Sequence, residues 1–226
     1  MQITSFYVFH IRPKHQYNAL VKMSYASIKL RKATGCSFAK IMGSGAGPLG
    51  FGLRPNFKLY VAIMVWDNLE SLRIFEKSNK MFLAYESIST KIDKYYGQPY
   101  KVHGLWGGIN PFKIELNKEV LNSEIIVLTR ARIRFNLIIK FWSFVPRTSN
   151  ALLNVDGRKL SIGVGELPLL YQATMSIWNS QEHMRTYAYE NAEHLEVIRK
   201  TKELNWYAEE LFCRFYALDI ENLQAN

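Results

Sequence analysis

The sequence predicts an α+β chain made of two ferredoxin-like units, each ordered strand-helix-strand-strand-helix-strand, whose sheets close on each other into a barrel with helices outside. Three observations predict it. The order of periodicities in residues 1–112 recurs in residues 113–226, dividing the chain into two halves. Lys40-Ile41-Met42-Gly43-Ser44-Gly45 is mirrored by Leu160-Ser161-Ile162-Gly163-Val164-Gly165, a strand running into a glycine turn each time. Trp66-Asp67-Asn68 is mirrored by Trp178-Asn179-Ser180, where an aromatic strand end meets residues that cap a helix.

In chain order, a strand is expected near Ile3–Ile11, then a helix near Tyr17–Arg31. Tyr17, Leu20, Val21, Tyr25 and Ile28 follow the i, i+3, i+4 rule and predict that helix's core face. Strands Ser37–Met42 and Lys58–Trp66 follow. A helix starting after Asp67-Asn68 carries Leu72, Phe75, Met81, Phe82 and Tyr85 inward, and a strand near Tyr100–Trp106 closes the unit. The second half repeats the order: strand Glu124–Ile133, a helix from Asn136, strands Leu160–Val164 and Gln172–Trp178, one long helix Gln181–Thr201, and a strand near Leu211–Leu218.

Composition narrows the class. With 226 residues, 48% of them apolar, the chain can bury a sizeable core. Cys36 and Cys213 lie far apart without CxxC or Cys/His spacing, so neither a disulfide framework nor a zinc site is signalled, and a reducing compartment is expected. The opening residues do not read as a signal peptide, and no apolar run approaches the roughly 20 residues that span a bilayer. A cytoplasmic protein, possible membrane contact included, is the expectation. The net charge of +10 lies wholly in the first half, where 15 Lys/Arg face 5 Asp/Glu; the second half is balanced at 14 each. Such asymmetry suits a solvated basic face, a nucleic-acid surface, an anionic membrane or an acidic protein partner.

Among five histidines, His10, His15, His103 and His183 lack a ligand partner at useful spacing. His194 stands where the first half has Phe82, on a stripe of Met184, Tyr187, Ala188, Asn191, Leu195 and Ile198, and so can face the interior. By periodicity alone such a histidine is most often a core or boundary residue. A single inward imidazole without a second ligand suits haem iron better than zinc. Arg130, Arg132 and Arg134 alternate along a strand, which predicts one shared face able to hold carboxylates or phosphates, or simply an exposed edge. Trp142, Trp178 and Trp206 with Phe141, Phe144, Phe212 and Phe215 supply aromatic surface for a flat or polyene ligand, or for core. Neither a Walker loop nor GxGxxG, a nucleophile elbow or HExxH occurs.

Several segments together resemble the spheroidene monooxygenase (carotenoid 2-ketolase) family. They are Phe38–Gly45, Leu128-Thr129-Arg130-Ala131 with Phe141-Trp142 and Pro146, Ile162–Glu166, Gln172–Trp178, Met184, Ala188, His194 and Ile198, and Trp206–Phe215. The chain departs from the family pattern after this last strand, ending Asp219–Asn226 in place of a Gly-Thr-Trp-Gly-Gly tail. The resemblance implies a barrel of the dimeric α/β type and a haem b monooxygenase that oxidises an allylic carbon of a carotenoid with O2 and electrons from reduced ferredoxin. It implies His194 as axial ligand, Arg214 in catalysis, Arg130 as an anchor for propionates, and Trp142 and Trp206 shaping the pocket. Two alternatives stay open: a histidine-ligated haem enzyme of another type, aldoxime dehydratase-like or peroxide-using, and a non-enzymatic ferredoxin-like binding module. Nucleic acid is not an expected partner, and both monomer and homodimer fit.

Overall fold

The computed structural model describes residues 1–115, 124–167, 169–190 and 192–223, without the side chains of residues 147, 148, 151, 192–194, 197, 198 and 202. Eight antiparallel strands form a closed barrel: β1 (Ile3–Ile11), β2 (Cys36–Gly45), β3 (Pro55–Trp66), β4 (Ser89–Gly104), β5 (Ile125–Ile133), β6 (Arg158–Leu167), β7 (Tyr171–Trp178) and β8 (Tyr207–Ala217). Around the barrel they run β1-β3-β2-β6-β7-β5-β8-β4. Each half therefore contributes four neighbouring strands, ordered β4-β1-β3-β2 and β8-β5-β7-β6. Helices α1 (Gln16–Arg31), α2 (Leu69–Ser78) and α3 (Lys80–Glu86) belong to the first half, and α4 (Ile138–Ala151), α5 (Gln181–Glu190) and α6 (Ala192–Leu204) to the second.

Side chains alternate between the two faces of each strand. One set fills the barrel: Phe6, Val8, Ile63, Leu128, Met175, Cys213 and Phe215 are all buried there. The other set faces the helices. In the first half that layer is a dense aromatic core of Tyr7, Phe9, Tyr60, Trp66, Phe75, Phe82 and Tyr85. Glu76 accepts hydrogen bonds there from the hydroxyls of Tyr7 (2.9 Å) and Tyr96 (2.6 Å). The second-half equivalent is a smaller cluster built on Ile125, Val127, Trp178, Met184 and Tyr216.

Four expectations are corrected. The stripe predicted as the core face of α1 points largely to solvent: Tyr17, Leu20, Val21 and Ile28 are exposed, while Ala19, Ala26 and Leu30 are buried. Both faces of α1 carry apolar residues, so periodicity could not choose between them. The small alanines won because they let the helix lie close to the sheet, where Met23 packs at the bare face of Gly43. The helix expected over Gln181–Thr201 is two helices, α5 and α6, so an angle drawn between Tyr187 and His194 on one continuous cylinder does not hold. The first half breaks likewise: Asn79 ends α2, and its side chain accepts from the backbone N–H groups of Met81 and Phe82 to begin α3. The strand expected at Tyr100–Trp106 starts at Ser89 and stops at Gly104, beyond which Trp106 bridges to Ile109. Finally, the three arginines do not form one cationic patch, although Arg130 and Arg132 alternate onto the same face of β5. Arg130 is buried, Arg132 is exposed, and the strand ends at Ile133, so that Arg134 reaches the backbone oxygen of Asn205.

Candidate functional site

The two halves can be superposed by their ladders. Ile3 pairs with Trp66 across β1 and β3, and Ile125 pairs with Trp178 across β5 and β7. Counting inward from these pairs, Tyr7 corresponds to Thr129, Phe9 to Ala131, Met64 to Ser176 and Tyr60 to Gln172. From the same tryptophans, Glu76 of α2 corresponds to Ala188 of α5. In each of these pairs the helix-facing residue of the second half is smaller or shorter, whereas Val127 and Thr174 are larger than their counterparts Ser5 and Ala62. Close-packed interiors leave no room for such losses to vanish, so removal of these side chains opens a space. A cavity of about 440 Å³ lies there, between the outer face of β5–β8 and helices α4 and α5.

Its walls are Val127 and Thr129 of β5, Ser161 of β6, Thr174 and Ser176 of β7, Phe212 and Arg214 of β8, Phe141, Phe144 and Val145 of α4, and Met184, Tyr187 and Ala188 of α5. Trp206 closes one side. Its indole N–H donates to Thr201 Oγ1 (3.0 Å) and its ring packs edge-on against Phe141 (5.5 Å between centroids). The first half also contributes Phe51, Lys101 and His103 to the lining. Gly163 makes room for Phe51, since a Cβ there would stand 2.7 Å from the ring. A second cavity of about 660 Å³ shares Thr129, Phe141, Thr174, Tyr207 and Phe212, and extends the space toward Thr201 and Asn205.

The lining is mostly apolar but includes Glu210, His103 and several hydroxyls, and two polar features stand out. Lys101 and Arg214 are partners across the β4–β8 ladder and both line the cavity, which makes one edge cationic. Tyr189 stands at this edge, where a hydrogen bond from Arg214 and its positive charge hold the phenol below the usual tyrosine range. Burial pushes Tyr100 up to about 12, against the opposing charge of Arg214. The second feature is Ser161, whose Oγ is buried without a hydrogen-bond partner among the described residues. Its ladder neighbour Ser176 accepts from the Trp178 indole instead (2.9 Å).

Of the residues expected at a site, Arg214 and Trp206 line the cavity. His194 lies on α6, and its side chain is outside the described residues. Trp142 lies elsewhere, in a cleft with Leu20, Leu53 and Phe57, and its N–H donates to the Leu169 carbonyl (3.1 Å). Arg130 lines the second cavity and is ion-paired to Glu209, with its guanidinium over the rings of Trp106 (5.7 Å) and Tyr171 (5.2 Å). Burial pushes the Glu209 carboxyl up, but the backbone N–H groups of Gly107 and Gly108 together with Arg130 outweigh it, leaving the group below the usual carboxylate range. Sequence reading missed Thr129, Ser176, Ala188, Lys101 and Tyr189. The first three were detectable as large-to-small differences between the halves. Lys101 and Tyr189 were not, because they meet Arg214 only through the ladder and the fold. Among the described residues, no group of three or more His, Cys, Asp or Glu is placed to hold a metal ion.

No family model matches the chain. Among solved structures, an aldoxime dehydratase superposes with a TM-score of 0.61 at 11% identity, over 97% of this chain and 82% of that one. The aldoxime dehydratase OxdRE, crystallised with butyraldoxime, gives 0.60 at 11% identity, over 98% and 81%. At such identities the likeness is one of fold. In sequence, the spheroidene monooxygenase of Rhodobacter capsulatus is 32% identical over 185 residues, 81% of this chain and 76% of that protein. Those of Cereibacter sphaeroides and Rubrivivax gelatinosus are 31% identical over 183 residues and 28% over 190, covering 56% and 72% of their own lengths. Identity of this order, sustained across the barrel that builds the cavity, shows that the chain belongs to the spheroidene monooxygenase family.

Proposed function

We propose that this chain is a haem-dependent monooxygenase that oxidises an allylic carbon of a carotenoid or similar lipidic polyene. One observation carries the reading: a family member has a cavity where its other half is solid aromatic core. The reading takes the two halves as copies of one ferredoxin-like unit, the first kept as scaffold and the second hollowed for chemistry.

The residues present fit haem b. A volume near 440 Å³ lies within the range of small-molecule sites, roughly 300–1,000 Å³, and its walls are mostly aromatic and aliphatic. Lys101 and Arg214 offer a cationic edge for propionates. His194, carried on α6, would hold the iron. When bound, haem supplies the activation of dioxygen, with electrons from reduced ferredoxin. The chain does the rest. Phe141, Phe144, Val145 and Met184 would line the haem pocket and exclude water, Trp206 seals the side nearest α6, and the adjoining cavity of about 660 Å³ would take the apolar substrate. Ser161 and Thr129 offer hydroxyls to orient a polar end of ligand or product.

The test is spectroscopic first. Purified protein given haem should show a Soret band that shifts with carbon monoxide after reduction, and His194→Ala should lose it while keeping its circular dichroism. Product from a carotenoid should then require both O2 and reduced ferredoxin. A folded protein indifferent to haem defeats the proposal; turnover without O2 defeats the oxygenase part of it.

A further inference from the structure

We infer that the outer face of α1, with the β2–β3 loop beside it, docks on a bilayer surface rich in anionic lipid. Tyr17, Val21 and Ile28 stand one above another along the solvent side of α1, and Tyr17 and Ile28 are 80% and 65% exposed. They form the crest of the helix rather than the floor of a groove. On one flank, Leu20 lines a cleft with Leu53 of the loop and Phe57 of β3, where Leu53 is 67% exposed. On the other flank runs a groove between α1 and α2–α3, lined by Lys22, Lys29, Lys32 and Lys80 with no carboxylate among its described residues. Exposed apolar side chains aligned on one helix face and flanked by lysines form the pattern of an interaction surface.

Charge selects the occupant. Residues 1–66 contain nine Lys/Arg and not one Asp or Glu; the first carboxylate of the chain is Asp67. A second copy of this chain would bring the same positive charge against itself. An acidic protein would satisfy the lysines but has no need of aliphatic and aromatic side chains projecting from a helix crest. A bilayer takes both: cations meet lipid phosphates while the crest enters the boundary between headgroups and acyl chains. No described helix is long and apolar enough to cross a membrane, so this contact lies on the surface. The inference rests on this face alone and not on what the cavity holds, although a lipid-soluble substrate would be met there.

The experiment is co-sedimentation of the whole chain with phosphatidylcholine vesicles, with and without phosphatidylglycerol, over a range of salt. The protein should pellet with anionic vesicles and stay in solution with phosphatidylcholine alone. Tyr17→Ser/Val21→Ser/Ile28→Ser should weaken partitioning about tenfold while keeping its salt dependence, and Lys22→Glu/Lys29→Glu should abolish the anionic preference. These side chains face solvent, so melting curves should match the parent and separate lost docking from lost folding. Equal partitioning of the parent and the triple serine variant overturns the inference, as does a parent that binds neither vesicle. Binding to soluble polyglutamate that equals binding to anionic vesicles, untouched by the serine changes, assigns the face to an acidic protein and overturns it as well. The readout needs neither haem nor substrate, so its failure and that of the proposed activity are separable.

Discussion

Ser176 and Thr129 occupy positions where the first half holds Met64 and Tyr7, and the space they leave is the cavity. Ser176→Met should therefore fill part of it. Burying the added methylenes gains about 1 kcal/mol, but the buried Trp178 indole N–H loses its acceptor at a cost of about 1–3 kcal/mol, so Tm should hold or fall while ligand uptake falls sharply. Calorimetry and haem titration check both, and undiminished uptake would place the ligand elsewhere. Arg214→Ala tests the cationic edge. Tyr189, now held low chiefly by its hydrogen bond with Arg214, should titrate closer to an ordinary phenol in an ultraviolet pH titration. Glu209 makes a prediction about acid. Its folded carboxyl lies below the unfolded value, so its contribution is complete above the ordinary glutamate pKa of about 4.3 and is lost as pH falls through the lower folded value. Glu209→Gln should flatten the acid limb of stability against pH. Glu209→Ala, which strands the buried Arg130, should cost about 3 kcal/mol in denaturant unfolding.

At the scale of elements, caps and turns place the functional side chains. Asn68 accepts from Ser71 N–H at the start of α2, and Ser180 does the same service for His183 at the start of α5, so both helices leave the sheet from a tryptophan strand end. The β2–β3 loop is folded back so tightly that a Cβ on Gly47 would lie 1.7 Å from the Phe51 carbonyl oxygen. That packing delivers Phe51 over the β2–β6 seam onto Gly163 and into the wall of the cavity. Helices α1 and α4 differ for a reason of volume. Small alanines seat α1 on its sheet, whereas α4 turns Phe141, Phe144 and Val145 toward the cavity.

For the whole molecule, closure of the barrel makes one site from both halves, since Lys101 and His103 reach it only because β4 pairs with β8. The two seams differ in extent. Strands β4 and β8 are paired from Gly97 to Gly104, whereas β2 and β6 pair only Gly43 with Gly165 and Ser44 with Val164. Few ladder hydrogen bonds and glycines at the junction make the second seam the easier to open. Native-state hydrogen exchange should find the amides there faster than those of the β4–β8 seam; equal protection would mean that the halves open only together.

Much of this architecture was legible in the residues. The order of strands and helices, the strand Ile3–Ile11, the capped starts after Trp66 and Trp178, and the glycine turns depend on neighbours along the chain, which periodicity and capping chemistry encode. The candidate site was legible in part, through Arg214 on the closing strand and Trp206 just before it, both of which line the cavity. The tertiary structure decided the rest. It chose which apolar face of α1 is buried, set Arg130 against Glu209, split the last long helix, and joined Lys101 to Arg214. It also converted a series of modest side-chain differences into a cavity. Each of these depends on what stands across a ladder or on the opposite layer, and a sequence carries no record of that distance until the chain has closed on itself.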